Sequence, residues 1–175
     1  MDLSKLKLEK LTWRDLKEAK QIFDENYYEN GGMLRAKTAR PTLLSCGDFL
    51  LARDDEHIYG YVRIIKNYKL GSGNTIYDGC SFSKKNIYVT QEAIFKKYQG
   101  KGIGTWIMLE LARKYKGYDL YCHIWDGNGL STGMAIASGY KGIGYMFKEQ
   151  FRDIKNYKAI LYRMNNGKDE VESEG

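Results

Sequence analysis

Polar and apolar residues alternate along Lys5-Leu6-Lys7-Leu8-Glu9-Lys10-Leu11-Thr12, and a period of two marks a half-buried strand. The period then changes. Leu16, Ala19, Ile22 and Phe23 recur at helical spacing behind Thr12-Trp13-Arg14-Asp15, a capping-box pattern, which predicts a helix to about Asn26. Residues 27–47 contain Tyr27-Tyr28, Gly31-Gly32 and Arg40-Pro41 and predict a short second helix plus a loop. Strand-forming runs at 48–53 and 57–65 flank the acidic turn Asp54-Asp55-Glu56, as in a hairpin. A polar excursion with Gly71, Gly73 and Gly79 follows over 66–86, with a short strand at 75–77.

Residues 86–95, rich in Ile, Tyr, Val and Thr, predict the next strand. A glycine-rich loop at 99–104 leads into a helix from about Gly104 to Lys116. Its last turn is basic (Arg113, Lys114, Lys116), and Gly117 stands just beyond it. Then come a strand at 118–125, a short helix at 131–138 closed by Gly139, and strands at 142–147 and 156–164. The fold class is α/β (α+β), in one domain over 1–164, and 165–175 reads as an acidic, disordered tail. The apolar runs, such as 49–52 and 106–109, fall far below the ~20 residues that span a bilayer. The first residues, Met1-Asp2-Leu3-Ser4-Lys5, show no apolar leader, so no membrane partner and a cytoplasmic location are expected.

Composition matters mainly through charge. The 175 residues hold 28 Lys+Arg against 22 Asp+Glu, a net of +6. The tail carries one lysine against four acids, so residues 1–164 carry +9. A basic body fits nucleic acid, an anionic membrane surface or a phosphorylated small molecule. Hydrophobic residues at 43% and a single proline exclude a disordered or collagen-like chain. Cys46, Cys80 and Cys122 are widely spaced without a CxxC, so they form neither a zinc site nor a disulfide framework, and no metal is expected.

The chemistry concentrates in Ile94-Phe95-Lys96-Lys97-Tyr98-Gln99-Gly100-Lys101-Gly102-Ile103-Gly104-Thr105. A loop between a strand and a helix start presents backbone amides without intrahelical partners, and glycines let it approach a ligand closely. With Lys96, Lys97 and Lys101 around it, the segment suits a phosphate or pyrophosphate. Neither GxxxxGK[ST] nor GxGxxG is present. The spacing that fits is Gln99-x-x-Gly102-x-Gly104, which resembles the pyrophosphate signature of the GNAT superfamily, the acetyl-CoA-dependent N-acetyltransferases. Asn128, Ser131, Gly139 and Tyr140 also resemble that family's N-x-x-S…G-[FY] segment.

The resemblance covers about residues 5–164. It implies a GNAT-like, mixed but mostly antiparallel twisted sheet of six or seven strands flanked by about four helices. It implies an N-acetyltransferase that moves acetyl from acetyl-CoA to a primary amine by direct attack in a ternary complex. The strand end at Ile94 and Phe95 would meet the pantetheine and polarise the thioester carbonyl. Gln99, Gly100, Gly102, Ile103, Gly104 and Thr105 would wrap the pyrophosphate, with Lys96, Lys97 or Lys101 on the 3′-phosphate. Asn128 would bind pantetheine, and Ser131 would cap the last helix. Many relatives place a tyrosine, as acid for the departing thiolate, where this chain has Ala135, leaving Ser131, Tyr140 or Tyr145 as stand-ins.

A base is needed because only a neutral amine attacks. Glu92 is the one acid in 86–95; it serves as that base, or is a surface carboxylate paired to Lys84 or Lys85. Asp126 is the weaker alternative. His57 reads as solvated, and His123 as a structural residue beside the notch. The acceptor is a small-molecule or peptide amine, with Tyr27-Tyr28 lining its pocket and walls from 26–42 and the connection at 147–156; Asp24, Glu25, Glu29 and Asp153 either greet a cationic amine there or are solvated helix-end acids. A monomer or homodimer is expected. A nucleic-acid partner is not, because phosphates at the loop already account for the clustered lysines. The alternative is a GNAT-fold module that binds CoA, nucleic acid or protein without efficient catalysis.

Overall fold

The computed structural model describes residues 2–29, 48–69, 82–151 and 154–166. Its strands are β1 (Lys7–Lys10), β2 (Asp48–Arg53), β3 (Ile58–Lys66), β4 (Asn86–Ile94), β5 (Asp119–Trp125), β6 (Lys141–Phe151) and β7 (Ile154–Met164). Among the described residues there are three α-helices: α1 (Leu16–Glu29), α2 (Ile103–Lys114) and α3 (Gly129–Ala137). The seven strands form one sheet in the order β1-β2-β3-β4-β5-β7-β6. Every neighbouring pair is antiparallel except β4 with β5, which run parallel.

Helices α1 and α2 cover opposite faces of the sheet with their apolar stripes. Ala19 and Ile22 of α1 lie fully buried against Phe49, Leu51, Tyr61 and Ala93. On the other face, α2 buries Ile103, Ile107, Met108 and Leu111, a helical spacing, over Leu50, Val62, Ile64, Ile87 and Val89. The polar edge of that helix ends where Asn166 Nδ2 donates to the carbonyls of Ala112 (2.6 Å) and Tyr115 (3.1 Å). Asn166 was expected in a disordered tail. It instead satisfies carbonyls that a helix C-terminus leaves unpaired.

The parallel pair β4–β5 decides the site. Its register runs from Asn86↔Asp119 to Val89↔Cys122 and stops. At the same level β4 bulges: Val89 faces Ile64, while Gln91 faces Arg63, so Thr90 is the extra residue. The bulge bends β4 away from β5 and opens a notch between residues 90–94 and 123–125. It also shifts the alternation by one. Ile87 and Val89 join the core under α2, and beyond the bulge Glu92 and Ile94 occupy that side.

Other boundaries move from those expected. Tyr27 and Tyr28 belong to the last turns of α1 rather than to a loop. Strands β6 and β7 run on through most of 147–156, down to Phe151↔Ile154, each completing the other's backbone hydrogen bonds. The connection expected there as an acceptor wall is therefore largely strand. The second helix within 30–47, the strand at 75–77, Asp153, Cys46, Cys80 and the tail beyond Asn166 lie outside the described residues.

Candidate active site

Between the open end of β4 and the starts of α2 and α3 lies a cleft of about 450 Å³. Its floor is Ile94 at the end of β4. In an antiparallel ladder, hydrogen-bonded and open pairs alternate. The Phe95 amide donates to the Tyr59 carbonyl (2.9 Å), so the adjoining pair Gly60↔Ile94 is an open one. The Ile94 amide and carbonyl therefore point away from β3, towards the notch. Gln99 reaches back over the turn, its Nε2 donating to the Ile94 carbonyl (3.1 Å).

The loop that follows is set by two left-handed glycines, Gly100 (φ +72°) and Gly102 (φ +80°), conformations that cost other residues about 1–2 kcal/mol. Gly102 is also the N-cap of α2. The first intrahelical bond runs from the Trp106 amide to the Gly102 carbonyl (2.9 Å), which leaves the amides of Ile103, Gly104 and Thr105 directed out of the helix start. Tyr98 braces the loop. Its ring packs on Tyr59 (centroids 4.6 Å apart), and Lys97 and Lys101 place their ammonium groups 4.8 and 5.5 Å from the Tyr98 ring. Tyr59 in turn donates its hydroxyl to Asp54.

The third wall is α3. Asn128 is its N-cap, accepting the Ser131 amide at 3.2 Å, so the cap lies three residues earlier than expected and Ser131 is a first-turn residue. The helix starts at Gly129 because the Asn128 side chain satisfies an orphan amide of its first turn. Ser131, Leu130, Gly133, Met134 and Ala137 line the cleft from this side. Leu130 is 88% exposed, an apolar side chain at the cleft mouth with no protein cover.

Of the residues singled out from sequence, Ile94, Gln99, Gly100, Gly102, Ile103, Gly104, Thr105, Asn128, Ser131 and Glu92 share this cleft. Phe95 does not. Its ring is buried in the core under α1, and its amide is taken by Tyr59. Lys96 and Lys101 are exposed on the loop outside the lining, and Ile103 offers backbone, its side chain being core. Tyr140 is buried behind the cleft. Tyr145 is half exposed on β6 beneath Lys158, and Asp126 is exposed in the turn after β5. Tyr98, Leu130, Gly133, Met134 and Ala137 were missed; a helical stripe at 130, 133, 134 and 137 was the available signal for the last four.

Glu92 is not a surface carboxylate. Both its oxygens are buried and have no hydrogen-bond partner, and burial pushes its carboxyl up to about 8. Burial also pushes the thiol of Cys122 and the phenol of Tyr140 upward, and the Glu92 charge would add to both. On the opposite face, His123 Nδ1 hydrogen-bonds the Tyr88 hydroxyl, so this histidine is tied to β4 at the vertex of the notch. His57 stays half exposed beside Asp54 and Glu56. Among the described residues, no group of three or more His, Cys, Asp or Glu is arranged to hold a metal, and no helix is long and apolar enough to cross a membrane.

The fold is shared with solved acetyltransferases. Spermidine N-acetyltransferase from Vibrio cholerae, in complex with CoA and spermine, is 13% identical with a TM-score of 0.66; the match covers 92% of this chain and 95% of that one. NAA60 of Arabidopsis thaliana with a bisubstrate analogue is 14% identical at a TM-score of 0.63, over 92% and 99% of the two chains. The ribosomal-protein-S18-alanine N-acetyltransferase of Escherichia coli is 11% identical at 0.65, over 95% and 97%. No curated protein matches the sequence significantly. The model of the Acetyltransferase (GNAT) family matches residues 7–140, a stretch that holds β4, the glycine loop, α2 and α3, and the chain thus belongs to the GNAT acetyltransferase family.

Proposed function

We propose that the protein transfers an acetyl group from acetyl-CoA to a primary amine, with both substrates bound and the amine attacking the thioester directly. The observation that carries this reading is the junction of the β4–β5 notch with the Gln99–Thr105 loop. A glycine-turned helix start, of the kind that suits an anion, and the end of β4 beyond its pairing with β5 sit end to end in one cleft. The residues fit the cosubstrate in kind. Left-handed Gly100 and Gly102 expose loop amides to a pyrophosphate, and the positive end of α2 favours it. Lys96, Lys97 and Lys101 supply cations at the loop for a further phosphate. The Ile94 backbone and the Asn128 amide suit the peptide-like arm of pantetheine, and Leu130 gains apolar cover from it. The Ile94 amide, aimed at the notch, is placed to steady the charge that develops on the thioester oxygen.

The acceptor is an amine, small or peptidic. The similar structures acetylate both kinds by their names, spermidine on one side and an alanine of a ribosomal protein on the other. Calorimetric titration with acetyl-CoA tests the cradle. Binding at tens of micromolar or tighter is expected, with loss in Gly102→Glu, which adds a negative charge and left-handed strain to the loop assigned to the pyrophosphate. No heat of binding to the unmutated protein would sink the reading. A thiol-release screen over spermidine, an alanine-ended peptide and a lysine peptide then sorts the acceptor class.

A further inference from the structure

The β4 wall of the notch supplies the Ile94 backbone, and the β5 wall ends in Trp125, followed by Asp126 in the turn. Pairing of the two strands stops at Val89↔Cys122. Counted on past the extra residue Thr90, Trp125 stands level with Ala93, one residue short of Ile94. Leu120, Cys122 and Ile124 belong to the core under α2. By alternation Trp125 lies on the opposite face of β5, away from the helix assigned to the cofactor. Its neighbour there on β7 is Ala159, a small side chain. An aromatic ring thus borders the notch from the side opposite the glycine loop.

The ring is held in place yet has no polar or aromatic partner. A methyl group on Gly127 would come within 2.8 Å of three adjacent ring atoms, so the indole lies face-on against that glycine. A half-buried indole usually spends its N–H on an acceptor. Among the described residues, Trp125 has no hydrogen-bond, ring or cation partner. Asp126, exposed beside it, likewise makes no ion pair among them, in a body of net charge +9. The lysine alongside, Lys158, accepts the Asp126 amide on its carbonyl (3.1 Å) but carries its ammonium over the Tyr145 ring, 5.2 Å from the centroid. An indole face attracts cations, and a carboxylate next to it adds to the attraction.

We infer that Trp125 and Asp126 hold a second, positively charged amine of the acceptor, which makes the acceptor a short aliphatic diamine or polyamine. This rests on the acetyl-transfer reading above and names its acceptor class. The attacking amine enters the notch neutral. The ammonium further along the same chain keeps its charge, over the indole and beside the carboxylate. A monoamine of equal size fills the same space without that charge, so the two kinds of acceptor are separable by measurement.

Putrescine and n-pentylamine make a matched pair, equal in heavy atoms, of which only putrescine carries a second ammonium. By thiol release, the unmutated protein uses putrescine with a kcat/KM about tenfold or more above that for n-pentylamine. Trp125→Leu raises KM for putrescine about tenfold and leaves kcat within about twofold, the mark of lost binding rather than lost chemistry. Trp125→Phe, which keeps a ring, restores most of that loss. Asp126→Asn, a change at an exposed turn position, raises the same KM about threefold at low salt and less at high salt. KM for n-pentylamine moves by less than about twofold in each variant. Acetyl-CoA affinity by calorimetry is unaltered in all three, which also shows that they fold. Equal use of the two amines, preference for phenethylamine or for the peptides of the acceptor screen over putrescine, or a loss shared by both amines would overturn the assignment. Failure of the unmutated protein to bind acetyl-CoA would instead defeat the underlying reading.

Discussion

Two glycines near the site are irreplaceable for different reasons, and the difference is measurable. A methyl group on Gly60 would stand 2.6 Å from the Ala93 carbonyl oxygen, which is backbone and cannot turn aside. On Gly102 it would meet nothing nearer than Leu3 Cδ1 at 3.7 Å, and the penalty is the left-handed conformation alone. Gly102→Ala should cost about 1 kcal/mol. Gly60→Ala should cost about 3 kcal/mol, because β3 and β4 must separate where the cleft floor is formed. Urea unfolding of the two variants checks the order; equal midpoints would count against it. Gly102 was legible in the sequence through the spacing Gln99-x-x-Gly102-x-Gly104. Gly60 was not, since close approach of two strands leaves no local mark. Glu92 was half legible: its presence in a strand was plain, but one extra residue at Thr90 switched the face it occupies. No period-two argument survives a bulge.

At the scale of elements, α3 shows how one side chain can be asked to do two things. Asn128 Oδ1 caps the helix through the Ser131 amide, while its NH2 group is the donor assigned to the pantetheine arm. Asn128→Ala should lose about 1 kcal/mol of stability together with acetyl-CoA affinity. Asn128→Asp should keep the cap and the stability yet still bind acetyl-CoA about tenfold more weakly, having no amide donor. Thermal unfolding and calorimetry on the pair separate the roles; equal affinity in Asn128→Asp and the unmutated protein would leave the residue a cap and nothing more. The end of α2 offers a second case. Asn166→Ala frees the carbonyls of Ala112 and Tyr115 and should cost about 1 kcal/mol, read from the urea midpoint. Strands β2, β3, β4 and β5 were foreseen to within a residue, whereas β1 is shorter at both ends and α1 runs three residues further than its periodicity indicated. The fastening of Asn166 to α2 and the full length of β6 and β7 were not, because each depends on a partner far along the chain.

Across the whole molecule, the carboxyl groups pull stability in opposite directions with pH. Hydrogen bonds from the Tyr59 hydroxyl and the backbone amides of Glu56 and His57 hold Asp54 down to about 2. Asp15 is also lowered, since its bonds from Thr12 and Arg53 outweigh its burial. A carboxyl held below its ordinary value favours the folded state above that value, and the benefit goes as pH falls through the folded pKa. These two aspartates therefore weaken the fold below about pH 4. Glu92 acts the other way. The folded chain keeps its proton to about 8, whereas an unfolded glutamate releases it near 4.5. Between those values the unfolded state binds fewer protons, so stability falls as pH rises and levels off above 8. Each pH unit of that interval is worth about 1.4 kcal/mol. The stability optimum should accordingly lie on the acid side, between about pH 4 and 5. Glu92→Gln removes the slope, so its melting temperature should match the unmutated protein near pH 4.5 and exceed it progressively towards pH 8. Parallel curves would mean that Glu92 ionises freely in the folded chain, and that its burial does not hold the proton on the carboxyl.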